Sequence, residues 1–175
     1  MPGMAPRFGV ASSQEDWAAR GRELFDGQHY LQAKQCYERA GLSHKAAISN
    51  AYLLREEARM TPREALRAFK NAHHNPFGKA ADSFLSCARD AGDNQNLYRR
   101  LAAECFEDGG DLSSASETYL DAQDYNRGAK LLCKLGRFDH AVEVMKFNER
   151  SMAGEVKRTI KREALLHYLG GKKMK

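Results

Sequence analysis

The sequence predicts an all-α protein, a solenoid of antiparallel helix pairs, and three observations carry that expectation. Small and bulky apolar residues alternate at helical spacing: Trp17, Gly21, Leu24 and Phe25 share one stripe, and Tyr30, Ala33, Tyr37 and Ala40 the next. Breaks at Gly27-Gln28-His29, Gly41, Gly109-Gly110 and Gly136 separate such stripes, glycine supplying the positive φ that ends a helix. The pattern also repeats. Aligning Ala33, Ala115 and Ala141 superimposes Tyr37 on Tyr119 and Met145, Tyr30 on Leu112 and Phe138, and Leu24 on Phe106 and Leu132. Only four prolines occur in 175 residues, and β-branched residues are few, which favours helix over sheet.

Taken in order, residues 1–12 read as a flexible leader without a signal-peptide pattern. Ser12 or Ser13 caps the first helix, with Glu15 and Asp16 on its positive end. A helical domain over 13–169 follows, with pairs at about 13–41, 43–92, 96–123 and 124–149 and a final helix at 155–169. In the second pair, Ser43 to about Arg59 carries a broad apolar face of Ala46, Ala47, Ala51, Tyr52, Leu54 and Ala58. Thr61-Pro62 stops that helix and opens a short one over Arg63–Ala72. The stretch from Pro62 to Pro76 reads as an irregular connection. Asn75 then caps a helix from Pro76 to Ala91, with proline welcome after the cap. Leu97, Leu101, Ala102, Cys105 and Phe106 form the next helix; Ala115, Tyr119 and Ala122 its partner. Tyr125, Ala129 and Leu132 form a further one, answered by Phe138, Ala141 and Met145. The last helix carries Val156, Ile160, Ala164, Leu165 and Tyr168. Residues 170–175 then read as the truncated start of a next turn, or a tail, with Met174 in the column of Tyr30. No polar capping helix is visible, so the chain reads as a segment of something longer.

The order Trp, Gly, large apolar, Tyr, Ala, aromatic, Ala over Trp17–Ala40 resembles the tetratricopeptide (TPR) helix pair. The resemblance implies a right-handed α-solenoid of TPR-like pairs. The last repeat interval, about 26 residues, is shorter than the TPR period of about 34, so the pairs are compact. The phrases QAKQCYERAG, AYLLREEAR, AAECFEDGGD, SASETYLDAQDY and GRFDHAVEVM are similar to the helical segment of large fungal TPR and ankyrin repeat-containing proteins. There, such pairs follow a superfamily I (UvrD-like) helicase region. Similar phrases occur in intraflagellar-transport and coatomer scaffolds. Walker residues are missing from this sequence, so the resemblance brings no ATP hydrolysis with it.

Chemistry-bearing motifs are sparse. The sequence has no phosphate loop, nucleophile elbow, paired-histidine zinc site or calcium loop, and it predicts no catalytic residues, no metal and no cofactor. His73-His74 reads as a pair of loop histidines. Asn75-Pro76-Phe77 matches a short endocytic-adaptor ligand, but helix capping explains it equally well. Cys36, Cys87, Cys105 and Cys133 show no metal-ligand spacing and sit within apolar stripes as small hydrophobes. Free thiols suit an intracellular protein, cytoplasmic or nuclear, and no run is apolar enough to predict a membrane span.

Binding is the function that stacked helix pairs predict, because their curvature makes a long concave surface. In TPR-type arrays the first helix of each pair lines it. Here those helices offer Arg22 and Asp26, Arg55 and Arg59, Arg99 and Arg100, Lys130 and Lys134, and Arg158 and Arg162. Glu15, Glu104 and Glu107 dilute the positive charge, and the formal net charge is +5. The expected partner is a protein, a peptide or another domain of a longer parent chain. A basic groove contacting nucleic acid is the second expectation. The carboxylate clamp of chaperone-binding TPRs is not reproduced, since Ala18 and Arg22 stand where it has Lys and Asn.

Overall fold

A computed structural model describes residues 12–67 and 75–171, and every regular element among them is helical. In chain order they are α1 (Gln14–Asp26), α2 (Tyr30–Arg39), α3 (Ser43–Met60), α4 (Arg63–Arg67), α5 (Pro76–Arg89), a 3-10 turn (Gly92–Asn94), α6 (Gln95–Asp108), α7 (Leu112–Asp121), α8 (Tyr125–Lys134), α9 (Phe138–Phe147) and α10 (Gly154–Gly171). Apart from α4, each helix packs mainly on its neighbours in sequence, and α10 also reaches α8. The expected leader, the second half of the Arg63–Ala72 helix, His73, His74 and Met174 lie outside the described residues.

One turn recurs along the chain and sets this packing. Helix ends close through a bond from an amide N–H to the carbonyl five residues back. It runs from His29 to Leu24, Leu42 to Tyr37, Asp111 to Phe106, Asp124 to Tyr119 and Arg137 to Leu132, at 2.8–2.9 Å. In each, the residue before the donor is left-handed: Gln28, Gly41, Gly110, Gln123 and Gly136, with φ between 59° and 84°. The acceptors are the same bulky residues that align in the sequence, so one side chain plugs the core while its carbonyl ends the helix. Helix starts consequently fall 13 residues apart, at Tyr30 and Ser43 and again at Leu112, Tyr125 and Phe138. The register breaks after Met145, where α9 ends on Asn148 without a left-handed residue.

The left-handed residue of the first turn is Gln28, whereas the sequence suggested Gly27, whose φ is −78°. Gln28 and Gln123 adopt a conformation costing an L side chain roughly 1–2 kcal/mol, partly offset because glycine has more unfolded-state entropy to lose. Gln28→Gly and Gln123→Gly are each expected to raise stability by about 0.5–1 kcal/mol, seen as a higher urea midpoint.

The aligned small column is the centre of the packing: Ala33, Ala115 and Ala141 are fully buried, and Tyr37, Tyr119 and Met145 are buried beside them. Ala40, Ala122 and Ala129 are buried too. Gly21 lies so near Tyr37 that a Cβ would stand 2.8 Å from its ring. Trp17 is half-buried, with the Arg39 guanidinium 4.6 Å over its ring. Phe25 and Tyr30 each meet the ring of Tyr52, which in turn meets Phe84, all at 5.2 Å. Leu24 packs on the Ala33–Tyr37 cluster, Leu112 and Phe106 on or within the central core, and Tyr125 and Leu132 on or within the α8–α10 core. Phe138 stacks against His167 at 4.7 Å.

Capping follows the sequence in two places. Ser13 forms a reciprocal capping box with Asp16, its hydroxyl accepting from the Asp16 amide at 3.1 Å. Asn75 Oδ1 accepts from the Gly78 amide at 2.8 Å, and its Nδ2 donates to the Gly109 carbonyl at 3.1 Å. Asn75 and Phe77 are both buried, so Asn75-Pro76-Phe77 is a capped helix start and not a displayed ligand. Elsewhere expectation and structure differ. Gly170 and Gly171 continue α10 instead of forming a turn, because the helix registry is already established over four turns. Ala47, Leu97, Leu165 and Tyr168, all assigned to apolar faces, are exposed.

Candidate functional site

Three helices that are not neighbours in sequence meet around one recess of about 450 Å³. Arg55 and Arg59 reach it from α3, Glu104, Glu107 and Asp108 from α6, and Arg127, Lys130 and Lys134 from α8, with Tyr119 and Leu131 completing the lining. Each helix delivers its residues at spacings of three or four, a single face. Five cations thus face three carboxylates.

The pairing is organised by Glu104. Its Oε2 accepts from Arg55 Nη2 at 2.8 Å and its Oε1 from Arg127 Nη1 at 2.9 Å, tying α3, α6 and α8 together. Arg127 also donates to the Tyr119 hydroxyl at 3.3 Å and stands over that ring at 5.5 Å. The Tyr119 hydroxyl donates to Glu107 Oε2 at 3.1 Å. The bond to Glu104, then that to Tyr119, holds Arg127 firmly protonated. Desolvation lifts the Asp108 carboxyl above its ordinary value, although Arg59 and Arg55 pull the other way. Arg59 bonds Glu56 at 3.1 Å. Lys130 and Lys134 form no ion pair with a described residue, and both are exposed.

Of the groove residues expected from the sequence, the structure therefore brings Arg55, Arg59, Lys130 and Lys134 together. Arg22 and Asp26 lie elsewhere, close enough to Tyr37 to act on its phenol electrostatically. Arg99 donates to the Asp121 carbonyl at 3.0 Å, turning toward α7, and Arg100 is exposed outside the recess. Arg158 is exposed on α10, and Arg162 pairs with Glu163 at 2.9 Å; neither lines it. Arg127 was missed as a functional residue. Its signal was its place one turn before Lys130 on the Lys130–Lys134 face.

Beneath the recess two acids are strongly perturbed. Burial pushes the Cys105 thiol from 9.0 up to about 12 and the Tyr119 phenol from 10.0 up to about 12. For both, the folded pKa exceeds the unfolded one, so their contribution to stability is complete below about pH 9 and is lost as pH rises toward 12. The urea midpoint is expected to fall over that window, with a shallower fall in Cys105→Ala. Cys36 and Cys87 are also buried and their thiols also raised, so little thiolate is present at neutral pH.

Among the described residues no three His, Cys, Asp or Glu side chains converge as metal ligands, and no helix is long and apolar enough to cross a membrane. Comparison with protein-family models, curated proteins and solved structures finds no match to this chain.

Proposed function

We propose that the chain is a non-catalytic protein-interaction scaffold, a right-handed solenoid of compact TPR-like helix pairs that docks an acidic protein segment in the recess of α3, α6 and α8. The recurrent turn, with helix starts 13 residues apart, and the in-order packing support the solenoid. The observation that carries the docking reading is the recess itself: an excess of cations, two of them lysines in no ion pair with a described residue. As part of a longer chain with a helicase-like region, such a module would hold that motor to its partner.

Nucleic acid suits the recess less well. Binding a phosphate backbone uses cations spread along a track, and stacking platforms for bases. Here the cations are concentrated in one place with Glu104, Glu107 and Asp108 among them, and Arg99, Arg100, Arg158 and Arg162 do not extend the line. The test is fluorescence anisotropy with a labelled Glu/Asp-rich octapeptide and a single-stranded RNA of equal charge, at about 50 mM salt where screening is weak. The peptide is expected to bind more tightly, and Lys130→Glu with Lys134→Glu to weaken it at least tenfold. Preference for the RNA, or indifference to the double charge reversal, rejects the reading.

A further inference from the structure

The charged recess has an apolar neighbour that shares α3 and α6 with it. A second cavity of about 300 Å³ opens between α1, α2, α3 and α6, lined by Phe25, Tyr37, Ile48, Tyr52, Leu97 and Tyr98, with Lys45 supplying a charge. Leu97 is 42% exposed at its mouth and Tyr52 is half-buried within it, so part of its apolar wall faces solvent. Mostly apolar walls with a few polar groups are what a seat for a single side chain needs.

The two cavities are consecutive along one stripe. On α3, Lys45, Ile48, Tyr52, Arg55 and Arg59 recur every three or four residues and share a face. The first three line the aromatic cavity and the last two the charged recess. Helix α6 runs through the same sequence, Leu97 and Tyr98 first, then Glu104 and Asp108. Tyr52 of the aromatic cavity and Arg55 of the recess stand one turn apart on α3, which makes the cavities neighbours. At 1.5 Å per residue the α3 stripe is about 20 Å long, the reach of roughly six residues of extended chain.

We infer that the two cavities form one bipartite site for an extended acidic peptide bearing a single large apolar side chain, which sits between Tyr52 and Leu97 while its carboxylates lie over Lys130 and Lys134. Charge selects this occupant: Lys45 stands at the aromatic cavity and Lys130 and Lys134 at the recess, none of them in an ion pair with a described residue, so an anionic chain is favoured beside the apolar anchor. The inference rests on the docking reading above and adds the anchor and its seat.

The test uses labelled nonapeptides with one Trp and four Glu, in both orders, beside versions with Trp replaced by Gly or Glu by Ser. The anchored acidic peptide in one of the two orders is expected to bind roughly tenfold more tightly than its Gly version, the scale of burying one large side chain. Leu97→Gln should close most of that gap, and Lys130→Glu with Lys134→Glu should weaken both peptides together. Equal affinity of Trp and Gly versions overturns the bipartite site and leaves the acidic-segment reading standing. Tight binding of the Glu-to-Ser version, insensitive to salt, also overturns it, since the cavity would then act without the recess. Failure of every acidic peptide overturns both.

Discussion

Tyr119→Ala is expected to destabilise the protein by about 4 kcal/mol, the range for truncating a fully buried aromatic side chain. Tyr119 is among the largest side chains with no exposed surface, and it fills the gap between α6, α7 and α8 beside Ala115. Tyr119→Phe keeps the ring and loses the bonds to Glu107 and Arg127, a cost of about 1–2 kcal/mol. Tyr37→Ala, in the same column, should cost less, about 2–3 kcal/mol, because Tyr37 belongs to a smaller cluster and faces the open aromatic cavity. The order Tyr119→Ala, Tyr37→Ala, Tyr119→Phe, measured by urea denaturation, checks this. Equal effects of the two alanine variants would mean that the column is not graded by its surroundings.

That column was legible in the sequence because its determinants are local. A bulky residue, a left-handed residue and the next helix start follow one another within a few positions, so Tyr37 aligns with Tyr119 and Met145, and Leu24 with Phe106 and Leu132. Gln28 and Gln123 were not legible as left-handed residues, since once the turn's backbone bond and the buried side chain are in place a non-glycine residue is carried into that conformation. The exposed leucine at 97 was misplaced for another reason: helical periodicity shows which residues share a face, and not whether that face meets a helix or a cavity. The recess was half legible. Its cations recur at helical spacing, but Glu104 bonds Arg55 and Arg127 across separations of 49 and 23 residues, beyond any local pattern. What looked like dilution of a basic groove is the group that assembles it.

Glu104 therefore sets two quantities in opposition, and Glu104→Gln separates them. The side chain of Arg55 is only 12% exposed and its Nε has no partner among the described residues, so removing the charge that balances its guanidinium is costly. Losing one member of a fully buried pair costs about 3–5 kcal/mol; Glu104 is 31% exposed, and water screens part of the loss, leaving about 2 kcal/mol. Glutamine can still accept one bond from either arginine but no longer offsets both charges. The same change leaves five cations facing two carboxylates. An acidic peptide over Lys130 and Lys134 then meets one negative charge fewer, which at partly screened distances is worth about 1 kcal/mol, or roughly fivefold in affinity. The expected result is a less stable protein that binds the Glu/Asp-rich octapeptide more tightly, read from urea midpoints and anisotropy on one preparation. A fall in both would make Glu104 a positioner whose bonds aim Arg55 and Arg127 at the ligand. A rise in affinity instead makes it an internal competitor, holding the place that the carboxylates of a partner would take.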